Sequence, residues 1–275
     1  MPPREFLINV GLIVTVMAVG AAIESVVPLF AEAPVNGKRR NANLAFTALS
    51  FGSNWVLSSI AAIAALSWRP AGLMAQWGWT GWPAIVAGIV ILDFSIGYLS
   101  HRTMHVWPPM WRFHQVHHND AFVDVTTTYR THPVESVWRF LFGIVPTWIL
   151  GIPAQAVVVQ RVLQSTLGVL GHANVRLHPV ADRLLSLVFV TPNVHKVHHS
   201  RRVEETNSNY ANLTTLYDRL LGTYTPALRA RSVNYGLAHA ELETIESFPR
   251  LLTLPFAPSE RIPDRKVRAE AASGR

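Results

Sequence analysis

Histidines recur at short, regular intervals in this sequence, and their spacing suits metal binding. The segments His114-Gln115-Val116-His117-His118 and His195-Lys196-Val197-His198-His199 share the pattern H-x-x-H-H, and an H-x-x-x-H segment running from His101 to His105 precedes them. Residues three and four apart on a helix share a face, so we expect each segment to aim its imidazoles at one point. Neutral imidazoles that converge in this way are metal ligands.

Nine histidines are too many for one metal ion, which takes about four to six ligands, so the sequence predicts a site for two metal ions. The candidate ligands are His101, His105, His114, His117, His118, His172, His195, His198 and His199. Unrelated surface histidines would not repeat one spacing twice. A structural zinc pair is the stronger alternative, and it predicts a closed site. His178 and His239 keep no helical spacing with a cluster and are predicted not to be ligands.

The composition places the site in a membrane protein without cysteine. Of 275 residues, 49% are hydrophobic and only 15% are charged, which is too apolar for an ordinary soluble domain. The absence of cysteine excludes disulfides, iron–sulfur clusters, thiolate haem and Cys-ligated zinc. The net charge of +7 suits a membrane surface, and no nucleic-acid-binding signature is present.

Three apolar runs, at residues 6–30, 44–66 and 83–100, are long enough to cross a bilayer, which needs about 20 residues. A cleaved signal peptide is the alternative for the first run, with Ala31-Glu32-Ala33 as the cleavage site; the length of the run favours an uncleaved anchor. Lys38, Arg39 and Arg40 place the first loop, and with it the histidines, on the cytoplasmic side. We expect a bacterial inner-membrane protein with its active site facing the cytoplasm.

A further apolar block covers residues 134–171 and is broken at Gly151. Its two arms predict either a hairpin of two spans or a re-entrant pair, because both arms are near the length at which a span becomes doubtful. The fold class is therefore all-α, a polytopic membrane protein of three to five membrane helices with a cytosolic helical cap. We expect an anchor at 1–82, a catalytic domain at 83–226 and a polar tail at 227–275, loose from Pro249 onward.

Spacing alone does not choose the metal, because imidazole binds iron, zinc, copper and nickel. A zinc pair would activate water for hydrolysis, which usually wants a carboxylate base near the metals. The H-E-x-x-H pattern that supplies such a base is absent. A pair of redox-active irons could instead bind dioxygen between the metals, and zinc can occupy the same imidazoles in recombinant material.

The motifs together resemble the fatty acid hydroxylase/sterol desaturase superfamily of integral-membrane di-iron oxygenases. They are H-R-x-x-H at His101, both H-x-x-H-H segments, residues 130–135, His172-Ala173-Asn174, Val190-Thr191-Pro192 and residues 218–224. The resemblance covers about half of the chain. It implies two iron ions, dioxygen as co-substrate, a membrane lipid substrate and a separate electron donor such as a ferredoxin or a cytochrome b5-like protein.

The resemblance implies hydroxylation or desaturation of a sterol, fatty acyl or other lipid. Alternatives are an ether-lipid monooxygenase or a carotenoid hydroxylase on the same scaffold, or a metal-binding membrane protein without turnover. Arg176 stands where fatty-acid 2-hydroxylases have another histidine, four residues after His172. The His-Pro-x-Glu match from His132 to Glu135 instead resembles the sterol desaturase branch.

Several polar residues are candidates for supporting roles. Asp93 lies about two turns before His101, and metal-bound imidazoles usually donate their other N–H to such a carboxylate. His132 is either part of the site or a partner of nearby backbone. Glu24 is expected to reach water from its span. Asn174, Asn209 and Asp218 either support the ligands or form turns.

Basic residues near the clusters predict the docking face for the donor. They are Arg102, Arg112, Lys196, Arg201 and Arg202. A small acidic electron carrier would be steered to such a surface.

Overall fold

The computed structural model describes residues 3–30, 37–67, 72–237 and 246–257, and within these ranges the chain is helical, with isolated bridges but no sheet. This confirms the all-α prediction. The α-helices are α1 (Pro3–Val26), α2 (Gly37–Ser67), α3 (Leu73–Gln76), α4 (Gly81–Leu92), α5 (Ser100–Val106), α6 (Pro108–His118), α7 (Pro133–Leu150), α8 (Ala154–His172), α9 (Pro179–Leu185), α10 (Pro192–His198), α11 (Val203–Thr206), α12 (Leu216–Leu220) and α13 (Phe248–Thr253).

Three helical stretches are long and apolar enough to cross a membrane: Leu7–Val26, Gly37–Ile63 and Gly81–Val106. They confirm the three predicted spans, with one difference. The third stretch continues past residue 100, because a π-helical segment at Asp93–Leu99 joins α4 to α5 without a break. The first histidine pair therefore lies on the end of this long helix.

The apolar block at residues 134–171 forms a helical hairpin of α7 and α8. The turn between them contains Gly151, whose φ is 70°. A Cβ at this position would lie 2.7 Å from the Cα of Gly72, which precedes α3. Glycine is therefore required at position 151 for two reasons: the left-handed backbone conformation and the close approach of the backbone at Gly72. Both predicted arrangements of this block contain such a hairpin.

The hairpin is the centre of the helix packing. α7 packs against α2 and α4, and α8 packs against α1 and α4. α5, α6 and α10 then form the cap at one end of this bundle, with α6 packed on α5 and α10 packed on the end of α8. The histidines on these cap helices are brought together by packing between segments far apart in the sequence.

A buried polar network joins the start of α2 to the cap. Arg39 donates to Asp120 (2.9 Å) and also pairs with Asp124. Asn43 donates to Asp120 (2.9 Å) and accepts from Arg130 (2.8 Å). Burial alone would raise the pKa of Asp120, but Arg130 and Arg39 hold it below its ordinary value, so the carboxylate stays charged. The first loop therefore lies on the same side as the histidines, with one of its three basic residues buried.

Two sequence-based expectations are corrected outside the site. Residues 249–257 do not form a loose tail: Leu251 is buried against Phe46 and Val116, because this stretch carries enough apolar surface to pack. Glu24 does not simply reach for water, since one oxygen of its half-buried carboxylate accepts hydrogen bonds from the backbone N–H of Val125 and Asn174. Ala31-Glu32-Ala33, His239 and residues 258–275 lie outside the described residues.

Candidate metal centre

The structure brings all nine predicted histidines together as two buried groups, in each of which the candidate ligand atoms lie within 4.8 Å of one another. The first group is His101, His105, His114, His118 and His198, and the second is His117, His172, His195 and His199. Each of the four contributing segments lies at the cap end of the bundle: α5, α6, the end of α8, and α10 with the residue after it.

Each H-x-x-H-H segment is divided between the two groups, which corrects the expectation that its three imidazoles meet at one point. On α6, His114 and His118 point to the first group, whereas His117 points to the second. Neighbouring residues on an α-helix project about 100° apart, so adjacent histidines diverge. The segment thus serves two metal positions.

The outer ring nitrogens of four histidines are fixed by hydrogen bonds. His101 Nδ1 donates to the Tyr210 carbonyl (2.6 Å), and His198 Nδ1 donates to the Ser208 carbonyl (2.7 Å). His172 Nδ1 donates to the Gly168 carbonyl (2.7 Å). His114 Nδ1 contacts the Glu135 carboxylate at 2.7 Å. A backbone carbonyl can only accept a hydrogen bond, so the ring proton of His101, His198 and His172 sits on Nδ1 and the lone pair is left on Nε2.

The inner ring nitrogens face one another at distances that suit coordination of a shared cation. His101 Nε2 lies 3.1 Å from the Nε2 atoms of both His114 and His198. Because Nδ1 is protonated in both His101 and His198, their two Nε2 atoms are bare lone pairs with no proton left to bridge them. In the second group, the Nε2 atoms of His172 and His195 are 3.0 Å apart. A metal ion between these nitrogens would remove the repulsion.

Burial keeps the rings neutral and several of their nitrogens without partners. It lowers the pKa of His117 and His118 well below the ordinary value and that of His198 to about 3, with neighbouring imidazoles adding to the effect for His117 and His118. Both ring nitrogens of His105 and of His118 are buried and have no hydrogen-bond partner. Buried polar atoms usually have a hydrogen-bond partner, so these unpartnered nitrogens are consistent with a role as metal ligands.

His132 supports the site through Glu135 and is not part of either group. Its ring Nδ1 caps α7 by accepting a hydrogen bond from the backbone N–H of Val134 (3.2 Å). The backbone N–H of His132 donates to the Glu135 carboxylate (3.1 Å). The other oxygen of Glu135 contacts His114. His132 and Glu135 thus form a capping box that holds the carboxylate in place. Sequence reasoning noted the His-Pro-x-Glu match but missed this role of Glu135.

Asp93 does not take the predicted role. Within the described residues no imidazole hydrogen-bonds to it, and its side chain instead faces Tyr217. A π-helical segment, whose turns are wider than those of an α-helix, begins at Asp93 and separates it from His101. The carboxylate beside the imidazoles is that of Glu135.

The three remaining candidates hold backbone that supports the site. Asp218 accepts hydrogen bonds from Tyr210 N–H and Ala211 N–H (both 2.9 Å), which fixes the residue whose carbonyl orients His101. Asn209 adopts a left-handed conformation (φ 52°) and ties Val194 to Thr225. Asn174 bonds to the backbone of Phe30 and so joins the end of α8 to α1.

A large, mainly apolar cavity leads from the bundle to the two groups. Its volume is about 1020 Å³, at the upper end of the range of roughly 300–1,000 Å³ for ligand sites. Its wall includes His101, His117, His172 and His195 at one end and residues of α1, α2, α7 and α8 along its length. A long apolar molecule could therefore reach the histidines from within the bundle.

We predict that neighbouring histidines affect different metals. After dialysis against a weak chelator the wild-type chain should retain about two metal equivalents, whereas His198→Ala and His199→Ala should each retain about one, because each has lost a ligand of a different group. Metal analysis with spectroscopy of the cobalt-loaded protein would distinguish the vacated positions. His178→Gln, whose ring caps α9, is the control. Identical spectra for the two alanine variants would contradict the assignment.

We also predict that Glu135→Gln weakens metal binding by about 10–100-fold, the usual effect of removing a partner of a ligating histidine. The amide offers one acceptor oxygen where the carboxylate uses two, so either His114 or the cap at His132 loses its bond. Competition with a chromogenic chelator measures the affinity. Glu204→Gln, at an exposed position, is the matched control. Equal affinities for Glu135→Gln and wild type would show that the carboxylate does not support the site.

Comparison with known proteins agrees with this geometry. The fatty acid hydroxylase family model matches residues 85–223. The chain is 30% identical over 208 residues to ornithine lipid hydroxylase OlsE of Rhizobium tropici. This alignment covers 70% of this chain and 61% of that protein. It is 29% identical to alkylglycerol monooxygenase of Xenopus tropicalis, over 62% of this chain and 35% of that protein.

A further relative is fatty acid hydroxylase vlmA of a Lecanicillium species, 28% identical over 68% of this chain and 54% of that protein. The chain thus spans between about a third and three fifths of these relatives. None of the three is named as a sterol desaturase, so that branch stays a prediction. No solved structure matches the chain. The family model covers half of the chain and includes all nine clustered histidines, and the chain therefore belongs to the fatty acid hydroxylase family.

Proposed function

We propose that the chain is an oxygen-dependent lipid hydroxylase whose nine clustered histidines hold two iron ions. One observation carries the proposal: bare, buried Nε2 lone pairs face one another at 3.1 Å beside the cavity. Neutral nitrogen ligands in such a place fit a metal centre that acts on an apolar molecule. The names of the relatives, which are lipid hydroxylases and monooxygenases, support the same reaction class.

In this proposal the protein holds the two metal ions, orients their imidazole ligands and keeps the reacting end of the cavity free of water. The carbonyls of Tyr210, Ser208 and Gly168 fix the ring orientation of three ligands, and Glu135 fixes a fourth. The cavity keeps a lipid chain out of water and beside the histidines. When bound, the two irons would supply the one-electron and dioxygen chemistry that breaks an unactivated C–H bond.

The proposed reaction is balanced by an outside reductant. One lipid C–H bond is converted to C–OH by one dioxygen, two electrons and two protons, and the second oxygen atom leaves as water. Hydroxylation beside an ether oxygen would give a hemiacetal, which collapses to an aldehyde and an alcohol. The name of alkylglycerol monooxygenase makes an ether lipid the second candidate substrate. Both outcomes start from the same C–H step, whereas desaturation would leave no oxygen in the lipid.

We propose that the two electrons come from a separate protein that docks beside the second histidine group. The chain has no cysteine for an iron–sulfur cluster. Four exposed arginines lie on two adjacent segments after His199: Arg201, Arg202, Arg229 and Arg231. Two residues of the predicted basic face no longer belong to it. Lys196 is buried and donates to the Ala173 carbonyl, and Arg112 donates to the Pro255 carbonyl. An acidic carrier suits this surface.

The proposed location is the bacterial inner membrane with the histidines toward the cytoplasm. Lys38 and Arg40 are exposed at the start of α2, on the same side as the cap. Basic residues favour the cytoplasmic side of a membrane protein.

We predict that labelled dioxygen appears in the product. Iron-loaded protein in nanodiscs, given a bacterial lipid extract, NADPH, ferredoxin and its reductase under ¹⁸O₂, should yield a lipid heavier by one labelled oxygen atom. His178→Gln should behave as wild type, and His198→Ala should yield no labelled product. Label that enters only from H₂¹⁸O would indicate hydrolysis and reject the oxygenase.

We predict that Arg201→Glu together with Arg202→Glu raises the donor concentration needed for half-maximal rate, because like charges oppose encounter with an acidic carrier. The wild-type rate should also fall with added salt, since the screening length is only about 8 Å at physiological ionic strength. The charge-matched control reverses Arg176 and Arg183, which are exposed on other segments. Equal donor dependence in both double variants would place the docking face elsewhere.

A further inference from the structure

A single arginine lines the cavity close to the histidines. Arg139 lies on α7 one turn after Glu135, about 6 Å along the helix axis, and Glu135 contacts His114. The cavity wall includes Arg139 together with His101, His117 and His172. The guanidinium is therefore at the histidine end of the cavity, where a substrate would react.

The Arg139 guanidinium has no direct partner among the described residues. Neither a hydrogen bond nor an ion pair holds it, and the carboxylate that acts on it electrostatically is Glu135. Both oxygens of Glu135 are already used, one by His114 and one by His132 N–H. A guanidinium offers five N–H donors in a planar fork, and leaving them unpaired beside apolar walls is costly. The side chain is thus poised to accept a partner that enters the cavity.

A second arginine, Arg161, also lines the cavity, but it differs from Arg139 in its distance from the histidines and in having a hydrogen-bond partner. Arg161 lies on α8 eleven residues before His172, about 16 Å along the helix. Its guanidinium donates to the Ser58 hydroxyl (2.9 Å). The cavity therefore has a partnered cation far from the histidines and an unpartnered cation beside them.

We propose that Arg139 binds an oxyanion of the substrate lipid, a carboxylate or a phosphate, at the histidine end of the cavity. The assignment of this ligand as substrate rests on the proposed function. The planar fork of arginine matches both oxyanions through paired hydrogen bonds. The apolar remainder of the cavity, which includes Phe140 and Ile144, then takes the hydrocarbon chain. Oxidation is consequently directed to a carbon within a few bonds of the charged group, and the distal part of the chain is spared.

Binding can be measured without turnover in the zinc-loaded full-length protein in detergent. Three probes share one hydrocarbon chain: oleate, oleoyl lysophosphatidate and oleyl alcohol. Displacement of a fluorescent fatty alcohol gives their affinities. We expect one of the two anions, or both, to bind the wild-type protein about tenfold more tightly than the alcohol, a typical gain for a charge-assisted pair. The stronger anion identifies the carboxylate or the phosphate as the natural group.

Variants separate the role of charge from that of fold. Arg139→Gln should remove the preference for the anion and leave the affinity for oleyl alcohol unchanged. Arg139→Lys should retain most of the preference, and Arg161→Gln should retain it fully. Zinc content and thermal unfolding of each variant report its integrity. If Arg139→Gln does not fold, the Arg139→Lys variant and the wild-type probe series still decide.

The proposal is overturned if the wild-type protein binds all three probes equally, if Arg139→Gln keeps the preference, or if Arg161→Gln loses it. Anion binding that depends on Arg139, in a protein that fails to incorporate labelled dioxygen, would refute the hydroxylase and leave the oxyanion site in place.

Discussion

The histidine cluster carries an energetic cost that the rest of the structure must offset. Neutral imidazole nitrogens are buried there with lone pairs that accept no hydrogen bond. Nine buried histidines form two groups, in each of which one candidate ligand nitrogen per ring lies within 4.8 Å of the others. Such an arrangement is unfavourable without a cation, because bare nitrogens repel and buried acceptors need partners. A metal ion in each group would convert this cost into binding energy.

The outer face of the rings shows how that arrangement is maintained. Backbone carbonyls accept hydrogen bonds from Nδ1–H of His101, His172 and His198, which fixes the tautomer and the orientation of each ring, and Glu135 holds the orientation of His114. The carbonyls are themselves held: Tyr210 by Asp218, and the loop that contains Ser208 by the left-handed Asn209. Small shifts in this outer layer would turn the lone pairs away from a common point. The polar residues around the site therefore matter as much as the histidines.

Sequence reasoning found what depends on local spacing. The helices, the three apolar spans and the nine histidines that the structure brings together all follow from periodicity and residue type. It could not assign His117 and His118 to different groups, because that depends on where the neighbouring helices pack. Glu135 was missed as a partner of His114, 21 residues away, although the capping-box pattern at His132 was a usable signal. Asp93 was assigned to the imidazoles because it is a carboxylate inside an apolar span, but residue type does not show which side chain it faces, and in the structure that side chain is Tyr217.

The buried network at the start of α2 changes what counts as one folding unit. The family match begins at residue 85, yet Asp120 and Arg130 inside it depend on Arg39 and Asn43 outside it. Removing one partner of a buried ion pair typically costs about 3–5 kcal/mol, because a charge is left without compensation. The first two helices also form part of the cavity wall. They are therefore part of the same cooperative unit as the histidines, and a chain cut between residues 82 and 83 would lose both its charge balance and one wall of its cavity.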